Sequence, residues 1–230
     1  MPDQVSQFGF IMTHFDTAPA AKVSLRHASR DSRLAARRQQ ILSASLEVFS
    51  VQGYEVARLE DVAKRAGVAR GTIYLHFPDK EALFLEVIRT ALLPMVDLLK
   101  VAVESPLPAR AILELAADSF VREVYHTNRK NLLRLIFLDG ARLPEVMRAY
   151  YRDIVVPVND AIASLLRRAF DRGEITQQGM ARFPQLLVAP WAMAIMWRVM
   201  FEPFQPLDVH GLLRAHIDQV FAGSAGPGDP

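Results

Sequence analysis

The chain has 230 residues, 51% hydrophobic and 23% charged, which predicts a globular protein of one large or two small domains and excludes a chain that is disordered throughout. It contains no cysteine, which excludes disulfides, thiolate metal sites and thiol catalysis and agrees with a reducing compartment. The net charge is only +2 but uneven, because residues 26–80 hold ten Lys and Arg against six acids, as in proteins that meet phosphate with one part of their surface.

Residues 1–34 show no convincing periodicity, and we expect them to be disordered. They contain the basic residues Arg26, Arg30 and Arg33. The first residues lack a basic region followed by a sustained apolar run, as a secretory signal would have. The longest apolar stretch, residues 186–201, is short for a membrane span and carries Arg198. We therefore expect a soluble cytoplasmic protein with no membrane partner.

Periodic apolar residues predict a first helix over residues 35–52, ended by Gly53 and Tyr54. Its inner face is predicted to contain Ile41, Val48 and Phe49.

Residues 59–77, LEDVAKRAGVARGTIYLHF, predict two short helices joined by a tight turn. Leu59, Val62, Ala63 and Ala66 recur at the spacing of one buried helical face. Gly67 follows where a helix needs a residue that tolerates left-handed backbone geometry. The second helix, about residues 69–76, is predicted to bury Ile73 and to expose its other side chains. This arrangement is typical of a DNA-binding helix-turn-helix, although an ordinary helical corner can have the same pattern.

The wider sequence resembles the N-terminal domain of TetR-family transcriptional regulators. The resemblance covers about fifty residues, including Ala66-Gly67-Val68, Gly71-Thr72-Ile73-Tyr74, His76-Phe77 and Lys80-Glu81-Ala82-Leu83. It implies an all-α fold with a three-helix helix-turn-helix DNA-binding domain over residues 35–80. A larger helical domain for ligand binding and dimerisation would follow over residues 81–223, and residues 224–230 would be a tail.

The resemblance also implies which residues meet DNA. Arg70 is the candidate for a base edge, and the family's lysine at the position of Lys80 contacts a phosphate. The full predicted set is Arg37, Arg38, Arg58, Arg70, Thr72, Tyr74, Leu75, His76 and Lys80. For residues 1–34 two interpretations stay open, a basic arm that contacts phosphate or the minor groove and a solvated tail, with Met12 as an alternative start.

The sequence departs from the family pattern before the second helix. Family members usually place two hydroxyl residues there, where a hydroxyl caps the helix, but this chain has Ala57 and Arg58. Glu60 stands where many relatives have a polar or basic residue that reads a base. An acid there is repelled by phosphate unless it accepts from a cytosine amino group.

The remainder is predicted to be helical throughout. We expect helices over residues 80–103, 109–127, 129–143, 144–172, 180–201 and 209–222. Pro94 should kink or interrupt the first of them, and Pro157 should bend the fourth.

Aromatic, methionine and charged residues between positions 120 and 201 suit a plastic apolar pocket, although core packing alone explains most of them. The predicted pocket residues are Phe120, Glu123, Phe137, Arg142, Tyr150, Tyr151, Trp191, Met193, Met196 and Trp197. The resemblance implies a homodimer paired through the last two helices. The predicted interface residues are Val199, Leu212, Leu213, Ile217, Val220 and Phe221.

Together these features predict a homodimeric repressor that a small apolar or amphipathic effector releases from a palindromic operator. The first alternative is a small-molecule-binding protein with weakened DNA recognition, which Ala57 and Glu60 favour. The second is an enzyme, but HExxH, P-loop, GxSxG and GxGxxG motifs are absent, and the six histidines have no metal-ligand spacing. We expect no cofactor and no metal.

Overall fold

A computed structural model describes residues 30–177 and 179–222 of the chain, and in this part all regular secondary structure is helical, which confirms the predicted fold class. The helices are α1 (Arg30–Gln52), α2 (Leu59–Ala66), α3 (Arg70–His76), α4 (Lys80–Glu104), α5 (Ala109–Phe120), α6 (Arg129–Asp139), α7 (Pro144–Tyr150), α8 (Val156–Asp171), α9 (Gly179–Arg182), α10 (Gln185–Met200) and α11 (Val209–Val220). No described helix is both long and apolar enough to cross a bilayer.

The chain divides into two compact units, residues 1–39 and 40–230. In the first unit, residues 30–39 are helical, so α1 begins five residues earlier than predicted and includes Arg30 and Arg33. The segment 30–34, for which we expected disorder, is therefore helical. Arg26, Met12 and the tail 224–230 lie outside the described residues.

In the second unit, α1 packs through Ile41, Val48 and Phe49, as its periodicity predicts. Gly53 ends the helix with a φ of 81°, a left-handed conformation that glycine adopts without strain. The rings of Phe49, Tyr54 and Phe84 then pack on one another with centroids 4.9–6.0 Å apart. These aromatic contacts fix the chain between α1 and α2 against the first turns of α4.

α4 follows an aspartate cap and is not interrupted by its proline. The Asp79 carboxylate accepts a hydrogen bond from the amide of Ala82 at 2.7 Å, as expected for an N-cap. Pro94 lies inside the continuous 25-residue helix. Its side chain is exposed, so water can satisfy the carbonyl that loses its helical partner.

Two predicted helices contain a π-turn. Residues 109–127 form α5 and then a π-turn at Val121–Tyr125, and residues 144–172 contain a second at Tyr151–Val155. In the second, the amide of Val156 reaches back to the carbonyl of Tyr151. Pro157 follows directly, and because its ring excludes a normal α-helical contact with the carbonyl of Asp153, the wider turn relieves this clash.

Two other predicted helices end or break early. The predicted helix 129–143 changes after Asp139 into a single 3₁₀ turn at Gly140–Arg142. The predicted helix 180–201 is divided into α9 and α10, because Pro184 has no amide proton and disfavours a helical conformation at Phe183.

The buried side chains form two apolar clusters within the second unit. One joins α1–α4 with α6 and α7 around Phe49, Phe84 and Leu135. The other joins α5, α8, α10 and α11 around Leu165, Leu213 and Ile217. α4 packs against both α7 and α8, so it connects the helix-turn-helix to the rest of the unit.

Polar side chains hold both halves of α4. In its first half, the Arg89 guanidinium donates through Nε and Nη2 to Asp153 at 2.9 and 2.8 Å. Arg152 and, more weakly, Arg89 hold the pKa of Asp153 down, at about 2. At the C-terminal end of α4, Arg168 donates to the carbonyls of Val103 and Ser105.

Candidate nucleic-acid interface

The structure forms the predicted helix-turn-helix from α2, a tight turn and α3. Leu59, Val62, Ala63 and Ala66 are all buried, as their spacing predicts. Gly67 adopts a φ of 63° at the end of α2, and the amide of Val68 donates to the carbonyl of Ala63 at 3.0 Å. This left-handed cap ends α2 and allows α3 to start three residues later.

α3 has one buried side chain and a broad exposed surface. Ile73 is fully buried, whereas Leu75 is 83% exposed and Tyr74 is 44% exposed. Arg70 is also exposed, and Thr72 and His76 are half-buried. An apolar residue as exposed as Leu75 contributes little to the core, so this face is suited to contact another molecule.

Arg70 is bound by two neighbouring side chains. Its Nη1 atom forms an ion pair with Glu60 Oε1 at 2.6 Å, and its Nη2 atom donates to the Tyr74 hydroxyl at 3.1 Å. The guanidinium carbon lies 5.5 Å from the centre of the Tyr74 ring. The Tyr74 hydrogen bond and then the Glu60 charge raise the pKa of Arg70 above its ordinary value. The sequence placed Arg70 on this surface but did not predict that Glu60 would bind it.

α2 begins without a side-chain cap, as the missing hydroxyls predict. Arg58 is the N-cap residue, and its side chain accepts no hydrogen bond from the helix. Ala57 is buried, whereas Arg58 is exposed. Glu60 and Asp61 place negative charge in the first turn, which favours the helix electrostatically.

Lys80 has a different environment from the one we predicted. Its Nζ atom lies 2.7 Å from the carbonyl oxygen of Tyr54 and 3.2 Å from those of Glu55 and Ala57. It also lies 4.4 Å from the centre of the Tyr54 ring. A lysine has three ammonium protons, so these three carbonyls can occupy all of them. In this structure Lys80 holds the loop before α2 and does not offer its ammonium to a phosphate.

Of the remaining predicted DNA contacts, Arg37 and Arg38 lie in α1, within the first unit. The side chain of Arg37 is exposed and that of Arg38 is half-buried.

Three comparisons connect this geometry to known proteins. The family model for bacterial regulatory proteins of the tetR family matches residues 41–87, which contain α2, α3 and the start of α4. The HTH-type transcriptional regulator AcrR of Shigella flexneri is 28% identical over 184 residues, 78% of this chain and 85% of AcrR. The helix-turn-helix of the chain is therefore that of the TetR family of transcriptional regulators.

Proteins similar to this chain differ in the roles that their names give. The HTH-type transcriptional activator FasR of Mycolicibacterium smegmatis is 30% identical over 132 residues, 57% of this chain and 59% of FasR. FadR from Bacillus subtilis, solved in complex with stearoyl-CoA, has the same fold with a TM-score of 0.61. That alignment covers 80% of this chain and 98% of FadR at 22% identity.

The predicted pocket residues of this chain do not converge on one interior site. Phe120 and Trp191 do meet, with ring centroids 5.1 Å apart. Tyr150 packs against the first apolar cluster, and the Trp197 indole donates to the carbonyl of Gln205 at 2.8 Å.

Several other predicted pocket residues lie on the surface. Phe137, Tyr151 and Met193 are among the exposed large apolar residues, and Arg142 is exposed as well. Glu123 is half-buried and forms ion pairs with Arg122 and Arg129. The shared pocket stays a prediction for these residues, because composition does not show which face of a helix a side chain occupies.

The predicted dimer residues on α11 also require correction. Leu213, Ile217 and Val220 are buried in the chain's own core, and so is Phe221 just after the helix. They offer no surface to a partner. Leu212 and Val199 are half-buried. The outer side of α11 is polar and is tied to α5 by the ion pairs Arg214–Asp118 and Arg110–Asp218.

α10 has the exposed apolar surface that α11 lacks. Leu186, Met193 and Met200 are 54%, 52% and 49% exposed, and they lie seven residues apart. This spacing returns to nearly the same side of an α-helix, so the three side chains form one stripe. We call these three residues the α10 stripe. Of the predicted interface residues only Val199 lies on α10, and the three residues of the α10 stripe were not among them.

Proposed function

We propose that this TetR-family regulator is a homodimeric repressor that binds a palindromic operator through α3 and is released by a small apolar or amphipathic effector. The observation that carries the proposal is the exposed face of α3, held by the buried Ile73 and the cap at Gly67. Two such helices related by a two-fold axis suit successive major grooves of an operator.

We assign base recognition to Arg70, because guanidinium groups pair with guanine through two hydrogen bonds. Thr72, Tyr74, Leu75 and His76 would contact phosphates and thymine methyl groups beside it. Arg37, Arg38 and Arg58 would contact the backbone. Lys80 would act indirectly, by holding the loop that carries Arg58.

We assign dimerisation to α10. An exposed stripe of Leu186, Met193 and Met200 on one helix is a costly surface for an isolated chain, and a second copy would bury it. The division into a DNA-binding domain over residues 35–80 and a ligand-binding and dimerisation domain over residues 81–223 is part of this proposal.

An amphipathic effector agrees with the apolar character of the second cluster and with the stearoyl-CoA bound by FadR. Such an effector acts only if it binds the released conformer more tightly than the DNA-bound one. α4 would transmit the change, because Arg89 joins it to the π-turn at Asp153. A DNA-binding regulator of this kind would work in the cytoplasm.

The alternative is a ligand-binding protein with weakened DNA recognition. The uncapped start of α2, the Glu60–Arg70 ion pair and the inward position of Lys80 favour it. The two proposals make opposite predictions for DNA binding.

The test is affinity for the duplex that flanks the protein's own gene, measured over a salt series beside a scrambled duplex. A repressor should bind its operator selectively and lose affinity steeply as salt rises. Addition of long-chain acyl-CoA, as one probe of the effector class, should release it. A transcription assay on the same DNA separates repression from the activation attributed to FasR by its name. A dimer that binds both duplexes weakly and equally would support the alternative.

A further inference from the structure

The Glu60–Arg70 ion pair has no evident role in stability. It joins α2 to α3, but both side chains are more than half exposed, 52% for Glu60 and 56% for Arg70. Exposed pairs of this kind stabilise a fold by little, about 0–1 kcal/mol. The pair lies on the surface that we assign to DNA, where a carboxylate is repelled by the phosphates. The Glu60–Arg70 pair should therefore affect DNA binding more than it affects stability.

The contacts of Arg70 leave part of its guanidinium available. The group carries five protons, two on each terminal nitrogen and one on Nε. Tyr74 accepts a proton of Nη2, whereas Glu60 lies 2.6 Å from Nη1 as an ion pair. At least one proton on each terminal nitrogen therefore remains, and a bidentate contact with guanine O6 and N7 requires one from each. Arg70 can keep both protein partners while it binds this base.

A phosphate contact has a different consequence. Arg70 would have to share its charge between Glu60 and the phosphate, or leave Glu60 as an unpaired carboxylate beside the anionic backbone. Like charges brought together at an interface lower the affinity for the partner that brings them together. Glu60 therefore penalises the contact that Arg70 would make with any DNA and spares the contact with guanine.

We propose that Glu60 is a specificity-determining residue, which together with Tyr74 holds Arg70 for a guanine edge and prevents it from serving as a general phosphate contact. This inference rests on the proposed function and names the element of the same site that rejects non-operator DNA.

The test uses the full-length chain with Glu60→Gln, which removes the charge and keeps the size. Dissociation constants are measured for the operator and for a scrambled duplex over a salt series. We expect the variant to bind scrambled DNA about tenfold tighter and operator DNA less than about twofold tighter, because only the phosphate contact is released. The salt slope on scrambled DNA should steepen by about 0.9, the change for one added phosphate contact.

Two controls make the result specific. Glu47→Gln removes the same charge from another exposed pair of the same domain, Glu47–Arg65, and should leave the operator-to-scrambled ratio unchanged. In an Arg70→Ala background, Glu60→Gln should no longer change the ratio, because the effect is exerted through Arg70.

The outcomes separate this inference from the proposed function. Equal tightening on both duplexes, or no change in the ratio, would overturn the role of Glu60 while leaving a DNA-binding regulator. A ratio that still changes without Arg70 would also overturn it, because Glu60 would then read a base directly. A wild-type chain that does not distinguish the duplexes at all would overturn the proposed function, and this inference with it.

Discussion

α3 and α10 both expose side chains that the chain itself does not need, yet their surfaces are of opposite kinds. The exposed side of α3 carries Arg70, Tyr74 and Leu75, and its charged group is bound by neighbours. The exposed side of α10 is an apolar stripe of seven-residue spacing. A polar surface with a fixed charge suits a partner whose individual polar groups form hydrogen bonds with it. An apolar stripe suits a partner that buries it by packing against it. This difference supports our proposals that α3 contacts DNA and that α10 contacts a second copy of the chain.

The largest expected effect comes from placing a charge in the α10 stripe. Met193→Glu should weaken dimerisation at least about 100-fold, or about 2.7 kcal/mol, because a carboxylate would be buried unpaired between two copies. Sedimentation velocity over a concentration series measures it. The matched control is Val101→Glu, which alters an equally exposed apolar residue on α4 and should leave the dimer intact. Equal effects of the two variants would contradict the assignment of the interface to α10.

Removal of the proposed base contact should have the next largest effect. Arg70→Ala should cost about 1–3 kcal/mol of operator affinity and relax the preference at one base pair of each half-site. Binding to a panel of singly substituted operators measures both changes. Arg122→Ala removes an exposed arginine outside the helix-turn-helix and serves as the control. An affinity loss that is the same for every sequence would mean that Arg70 contacts only phosphate.

Substitution of Lys80 distinguishes a structural role of this side chain from a direct contact with DNA. Lys80→Ala should lower the free energy of unfolding by about 1–2 kcal/mol, because three carbonyls lose a charged donor. Urea unfolding of the variant measures this change. The salt slope of operator binding should stay unchanged. An unchanged midpoint with a slope lower by about 1 would instead indicate the phosphate contact implied by the family resemblance.

The smallest expected effect concerns Asp153 and depends on pH. Its pKa is about 2 in the folded chain against an ordinary 3.8, so the folded state favours the carboxylate. This stabilisation is complete above about pH 4 and is lost as the pH falls through 2. Asp153→Asn should therefore cost about 1 kcal/mol of unfolding free energy at neutral pH. Urea unfolding from pH 7 to pH 3 tests it, and the wild-type advantage should shrink below about pH 4. An advantage that persists unchanged to the lowest pH would show that Arg89 and Arg152 do not act through the charge.

Local rules predicted the helix-turn-helix closely. The spacing of Leu59, Val62 and Ala66 and the glycine at position 67 fixed α2 and its end, because each is decided by residues a few positions apart. The same rules located a disturbance at Pro157 but not its form, since a π-turn and a bend satisfy the proline equally well.

Contacts between residues far apart in the chain could not be predicted from the sequence. The binding of Arg70 by Glu60 and of Lys80 by the carbonyl of Tyr54 depends on how helices and loops approach one another. For a related reason, the sequence could not show that Leu213, Ile217 and Val220 are buried within the chain itself. An apolar helical face such as that of α11 has the same periodicity whether the chain's own core or a second copy covers it. The exposed fractions of Leu213 and Met193 separate the two cases, and they are known only from the structure.

The most direct test of the account is selection of bound sequences from random duplex DNA by the full-length protein at physiological salt. We predict enrichment of a two-fold symmetric site with a guanine at the same position of each half-site and about one helical turn between half-sites. The guanine should disappear from the sites selected by Arg70→Ala. Selection of no sequence by the wild-type dimer, or of sites that Arg70→Ala selects equally well, would contradict recognition of DNA through α3.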